Sequence, residues 1–337
     1  MKNLIDEIID IIKEEYKFIL LLIILGIIAL FPVNYYITVG GGIKDIGNRV
    51  EVENSYKEKG SFNITYVSQI NSTVATYLLS YIIPSWERNK VSDYAYNDEE
   101  EIKDIEYREK IELKASSANP IYNSYKEANK QVEETSHKYL VIANTKEYKN
   151  NFEIGDEIVS VDNQSFDDLK QYRKLIDKYT NDTIKVKVKR KKKIIEINAK
   201  IYKEKETNRK ILGIYLSDLH TYKTDPKVKI KFKKNESGPS GGLLTALSIY
   251  NKLTKKDITK GYRIVATGTM EPDGTVGPIG GIKYKLLGAN KKADYFLVPA
   301  GDNYKEALKL KKKNHLKIKL IKVKTFKDAI NKLENIK

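Results

Sequence analysis

From Phe18 to Phe31 every residue is Ile, Leu, Ala, Gly or Phe, and no charge interrupts the chain between Lys17 and Lys44. A helix needs ~20 residues to cross a hydrocarbon core of about 30 Å. Phe18 to Val39 supplies them, with Pro32, Tyr35 and Tyr36 falling where a membrane interface tolerates such residues. The region before the run mixes Asp6, Glu7, Asp10, Glu14 and Glu15 with Lys2, Lys13 and Lys17, and no A-x-A-like site follows it. That is a poor start for a cleaved signal peptide. The N-terminal segment 1–43 is therefore expected to hold an uncleaved single-pass anchor, a transmembrane helix over about 18–39. Basic residues flank the run on both sides, so charge alone does not set its orientation.

Beyond that run, a chain of 337 residues with 41% apolar content can build more than one packed core. Cysteine is absent, which excludes thiolate nucleophiles, disulfide frameworks and cysteine metal sites. The three histidines, His137, His220 and His315, form no H-E-x-x-H pair, so no zincin-type metal centre is expected. No G-x-x-x-x-G-K-S/T occurs, since Gly40-Gly41-Gly42 leads into Ile43-Lys44-Asp45; no nucleotide motor and no cofactor are expected.

Residues 44–135 read as a connecting region. Phe62 to Val67 alternates like a strand entered through Gly60, and Ser72 to Ile83 reads as a helix stopped by Pro84. The acidic run Asp98-Glu99-Glu100-Glu101 reads as a solvated helix face, followed by a helix from Tyr122 to Glu134. Residues 136–203 form a β-rich unit: a buried strand Tyr139–Ile142, a turn and strand Gly155–Asp162, a helix Asp167–Tyr179, and a hairpin from Ile184 to Ile201. Residues 184–203 carry nine Lys/Arg and one Glu, half of the chain's net charge of +16. A nucleic-acid patch is the tempting reading, but the period of two puts those lysines on the wet face of a strand pair with Val and Ile inward. No nucleic-acid partner is expected; what is left is electrostatic attraction to anionic lipid or wall polymer.

Residues 136–203 resemble a PDZ domain through the strand Tyr139–Ile142, the segment Gly155–Asp162 with Asn163 after it, and the helix from Asp167. The resemblance implies binding of extended peptides by strand addition at a sheet edge beside a helix. The glycine-rich carboxylate-binding loop of many PDZ domains is missing, with His137-Lys138 in its place, which puts capture of a C-terminal carboxylate in doubt.

The chemistry sits in residues 236–299. Ser240 lies in the turn Gly238-Pro239-Ser240-Gly241-Gly242, just before an apolar helical run from Leu243 to Leu253. Backbone N–H groups at such a turn and helix start are suitable oxyanion donors, although a serine before a helix is also an ordinary N-cap. A serine nucleophile needs a base, and a lysine serves only when burial lowers its pKa from ~10.4 to about 7–8, which takes roughly 3–5 kcal/mol. Lys283 and Lys285 open a helix with Ile282, Leu286, Ala289 and Ala293. Both lie about 80° from the centre of its apolar face, so the helical wheel leaves both open.

Taken together, Gly238-Pro239-Ser240-Gly241-Gly242, Ala266-Thr267-Gly268-Thr269, Gly277 to Lys285 with Leu286-Leu287-Gly288-Ala289, Phe296-Leu297-Val298-Pro299 and Asn303 resemble the proteolytic domain of the Lon family. The resemblance implies a Ser–Lys dyad in a Lon-like proteolytic domain over 204–337. Its lysine is the second in Gly-Gly-x-Lys-x-Lys, so Ser240 and Lys285 are the expected catalytic pair. Gly238, Pro239 and Gly241 shape the serine turn, and Thr267 matches a threonine that hydrogen-bonds the dyad lysine. The pattern departs from the family where Ser237 and Thr269 replace acidic residues and where no ATPase module is present. With the anchor and the PDZ-like unit, the chain is similar to bacterial membrane-anchored PDZ–Lon-like serine proteases. That similarity implies an α+β protein with its N-terminus inside the cell and an extracytoplasmic, ATP-independent endopeptidase acting on peptides or unfolded segments. The alternative is a non-catalytic anchored PDZ scaffold with a degenerate protease domain.

Overall fold

The computed structural model describes residues 4–97, 99–233 and 236–336, so Lys2 and Asp98 of the segments above lie outside the described residues. The chain divides into two units, Met1–Gly40 with Val67–Tyr94, and Gly41–Tyr66 with Ala95–Lys337.

The first unit corrects the expected anchor. Helix Leu4–Leu30 ends before Pro32, and Pro32–Asp45 is a strand, paired antiparallel with strand Glu87–Lys90 from Tyr35↔Lys90 to Thr38↔Glu87. Proline lacks the N–H a helix interior needs and steers the residue before it toward extended backbone. The β-branched and aromatic residues after it, Val33, Tyr35, Tyr36, Ile37 and Thr38, favour a strand. What remains helical and charge-free, Phe18 to Leu30, spans only ~20 Å, against the ~30 Å of a hydrocarbon core. Among the described residues no helix is long and apolar enough to cross a membrane. The transmembrane helix expected over 18–39 is therefore not formed. The single-pass localisation that rested on it, with the N-terminus cytoplasmic and the catalytic domain extracytoplasmic, falls with it. Nearby, helix Val74–Ile82 stops before Pro84 as expected, and its start is set by Thr73 and Thr76, which cap each other reciprocally.

The second unit is α+β and contains a five-stranded antiparallel sheet ordered Ile214–Asp225, Gln131–Asn144, Glu157–Val161, Thr183–Arg190, Lys193–Lys200. Val141, Val161, Ile176, Ile184, Val186, Val188 and Ile197 fill its core, with Ile176 contributed by helix Leu169–Lys178. The lysines of the hairpin alternate outward as expected, and Lys191 and Lys192 form its turn with φ of 47° and 70°. Strand Gln131–Asn144 is paired on both sides over Tyr139 and Leu140, so an incoming peptide cannot add to that part of the strand; the sheet edges are Ile214–Asp225 and Lys193–Lys200. The helix expected from Tyr122 to Glu134 is instead Ala118–Glu127. Asn129 then takes a left-handed φ of 51° and the strand begins at Gln131.

The remaining layer is a parallel array in which strand Arg263–Ala266 lies between Ser61–Thr73 and Tyr295–Pro299, with Lys319–Val323 outside the latter. Alternate residues face opposite sides. Ile264 and Ala266 pack under helices Gly242–Leu253, Ala118–Glu127 and Phe326–Glu334, whereas Val265 packs with helices Ile282–Ala289 and Asp302–Lys313. Ile46, Val50, Val52, Phe62 and Tyr125 belong to the first of these cores, so part of segment 44–135 completes this layer as well as leading to it.

Candidate active site

Helix Gly242–Leu253 and helix Ile282–Ala289 pack on opposite faces of strand Arg263–Ala266, and the chain leaving that strand at Thr267 reaches both. This places a residue from each helix region at one strand end, where backbone no longer committed to the sheet ladder can bind side chains.

Ser240 sits in the turn before the first of these helices. The N-cap is Gly241, and no side chain caps the helix, so Ser240 is not an N-cap serine. The turn is tied to the strand end by its backbone: Gly268 N donates to Ser240 O at 2.9 Å and Leu243 N to Gly268 O at 3.1 Å. This close approach explains Gly242, where a Cβ would lie 2.8 Å from Met270 N. Gly242 N donates to Pro239 O at 3.2 Å. Among the described residues no acceptor takes the N–H of Ser240 or Gly241. Ser240 and Gly241 are half-buried and Pro239 is exposed; Gly238 takes a φ of 81° at the start of the turn. Behind it, Glu236 pairs with Arg49.

Lys285 comes from the second helix and is 5% exposed. Its Nζ donates to Thr267 Oγ1 at 3.3 Å, and Thr267 Oγ1 donates to Ser240 O at 3.1 Å. Thr267, 1% exposed, is held by its own N–H, which donates to Leu297 O at 3.2 Å. Burial lowers the Lys285 pKa to about 8, with no ion pair offsetting it. A sizeable fraction of the amine is then uncharged near neutral pH, which an ordinary lysine is not. Lys283 is exposed beside the Tyr284 ring, 5.1 Å from its centroid. Two lysines that the helical wheel treats alike are thus separated by tertiary packing. Among the described residues there is no direct hydrogen bond between Ser240 Oγ and Lys285 Nζ; Thr267 is the link between their segments.

The surrounding loops are braced by side chains. Asn303 Nδ2 donates to Ile279 O at 2.8 Å and Ile279 N donates to Asn303 Oδ1 at 2.9 Å, fixing the segment that leads into the lysine helix. Thr269, which replaces an acidic residue of the Lon pattern, donates to Glu271 Oε1 at 3.3 Å. Sequence reasoning missed a second set of braces: Asn119 Nδ2 donates to Met270 O, Asn123 Nδ2 to Glu271 O, and Ser124 Oγ to Ala246 O. Polar residues in a charged stretch carry no signal of a partner ~150 residues away.

Residues 225–334 match the Lon protease C-terminal proteolytic domain, and residues 131–201 match the PDZ domain. No curated protein matches the chain. The protein therefore combines a serine-protease-type proteolytic domain with a PDZ domain, two modules suited to peptide or protein substrates.

Proposed function

We propose that the chain is an endopeptidase in which Ser240 is the nucleophile and uncharged Lys285 its base. The observation that carries this reading is the burial of Lys285 at the strand end, with its amine joined through Thr267 to the backbone of Ser240. In the forward step, Lys285 Nζ takes the proton from Ser240 Oγ as the oxygen bonds to the scissile carbonyl carbon. The oxyanion is held by the N–H groups of Ser240 and Gly241. Lys285 then gives its proton to the leaving amine as the C–N bond breaks, leaving an acyl-enzyme. Water attacks the ester with Lys285 again accepting a proton, and Ser240 is regenerated.

No phosphate-binding loop is present in the sequence, so the substrates suited to this chain are peptides and unfolded segments that require no nucleotide-driven unfolding. The PDZ domain presents or gates them. The test is hydrolysis of a fluorogenic peptide library by the full chain and by Ser240→Ala, Lys285→Met and Lys283→Met. The first two variants lose activity by at least ~10³-fold while Lys283→Met keeps it within a few-fold. Loss confined to Lys283→Met, or activity unchanged in Ser240→Ala, overturns the assignment.

A further inference from the structure

The histidines that look unrelated in sequence are partly brought together by the fold. His137 and His220 oppose each other directly across strands Gln131–Asn144 and Ile214–Asp225, their rings stacked with centroids 4.1 Å apart and 21° between planes. Two carboxylates close the cluster from either side. Asp218 Oδ1 faces both Nε2 atoms, accepting from His137 and lying 3.0 Å from His220 Nε2. Glu134 Oε1 faces both Nδ1 atoms, 2.8 Å from His220 and 4.0 Å from His137.

Glu134 reaches this face only because the strand is irregular. In a regular strand residues three apart point to opposite faces, so Glu134 and His137 would diverge. Here Thr221 pairs with Ser136 but Tyr222 pairs with Glu134, and Thr135 is the extra, bulged residue. The bulge re-aims Glu134 toward the rings.

We infer that Glu134, His137 and His220 form a binding site for a divalent transition-metal ion of the zinc class, with Asp218 orienting the two imidazoles. Glu134 Oε1 and one ring nitrogen from each histidine lie within 4.8 Å of one another. Ligands placed tetrahedrally at about 2.0–2.1 Å from zinc stand ~3.3 Å apart, so small side-chain rotations complete the set. Asp218 gives His137 what metal-bound histidines ordinarily have, a carboxylate accepting from the other ring nitrogen, and lies within reach of His220 Nε2. A metal ion held by the two Nδ1 atoms would displace the proton between His220 Nδ1 and Glu134 Oε1. Two carboxylates and two neutral rings sum to two negative charges, which one divalent cation neutralises. The two histidine side chains are 24% and 22% exposed, so solvent reaches the site. The site lies on the PDZ domain's sheet, and its ligands take no part in the Ser240–Lys285 chemistry. Bound metal would cross-link strand Gln131–Asn144 to strand Ile214–Asp225, the pair of strands through which the chain enters and leaves this sheet.

The test is calorimetric titration of Zn²⁺ alone into the full chain carrying no affinity tag, with visible absorption of Co²⁺ as a second readout. One equivalent of Zn²⁺ is expected to bind, and Co²⁺ to give tetrahedral-type d–d bands. His137→Gln/His220→Gln should weaken binding at least ~100-fold, Glu134→Gln should weaken it, and Asp218→Asn should weaken it about 10–100-fold. His315→Gln should leave it unchanged. Thermal melts of each metal-free variant confirm that it is folded, and Glu134→Gln and Asp218→Asn serve if the double histidine variant is not. Absence of stoichiometric binding, or wild-type affinity in folded His137→Gln/His220→Gln, overturns the site and leaves the cluster as a histidine–carboxylate hydrogen-bond group.

Discussion

Thr267 Oγ1 accepts from Lys285 Nζ at 3.3 Å, and its own proton goes to the carbonyl oxygen of Ser240. One hydroxyl thus fixes a lysine from one face of the sheet relative to a serine turn on the other. Thr267→Val keeps the volume and removes the link. Ser240 O still accepts from Gly268 N, but the buried Lys285 amine loses its acceptor, so a stability loss of ~1–3 kcal/mol is expected. Steady-state kinetics should show kcat lower by roughly 10–100-fold with KM little changed, and Thr267→Ser should recover most of it. Equal kinetics in Thr267→Val would remove the threonine from the positioning role.

With the Lys285 pKa at about 8 in the folded chain, the proposed base is increasingly protonated as pH falls below that value. The kcat/KM for a neutral peptide should rise with pH, close to tenfold per unit below the midpoint, and level off above it. A rate profile flat from pH 6 to 9 would contradict a lysine base.

Burying Lys285 also has a stability signature. Its folded pKa lies below its unfolded value, so between about 8 and 10.5 the unfolded chain binds more protons and stability from this group rises with pH. Below about 8 the full penalty applies. Lys285→Met, which keeps the apolar stem, should therefore stabilise the protein at pH 7 by about 1–3 kcal/mol, with the gain shrinking by pH 10. Urea melts of both proteins at the two pH values measure this directly.

Two glycines of the serine turn should respond differently to alanine. At Gly242 the new Cβ meets the backbone nitrogen of Met270 at 2.8 Å, which side-chain rotation cannot relieve. Gly242→Ala should cost ~1–3 kcal/mol and displace the turn, lowering activity. At Gly238 nothing lies within 4 Å, so Gly238→Ala meets only the strain of a φ of 81°, about 1 kcal/mol. Denaturant melts that rank the two the other way would argue against this packing.

What the amino-acid pattern reveals here follows from how local each determinant is. The Lys–Val alternation of 185–189 and the stop of the second helix before Pro84 are nearest-neighbour effects and read directly. The run from Phe18 to Val39 misleads because a charge-free, largely apolar sequence has no clear period to separate helix from strand; Pro32 marks the change, but sheet pairing, with Ser61–Thr73 on one side and Glu87–Lys90 on the other, makes the second half a strand. Lys283 and Lys285 are equivalent on a wheel and differ only through what the helix packs against. The His137–His220 pairing depends on strand register and a bulge, both settled by contacts far apart in the chain.

Strand Arg263–Ala266 is flanked on one side by Ser61–Ile64, and its underside is completed by Ile46, Phe62 and Tyr125. A recombinant fragment trimmed to residues 225–334 would therefore lose an inner neighbour of its sheet and part of its packing, leaving unpaired backbone amides beside bare aliphatic surface. Such truncations should aggregate when expressed, whereas pieces retaining residues 41–66 and 95–336 keep the hydrophobic interior closed.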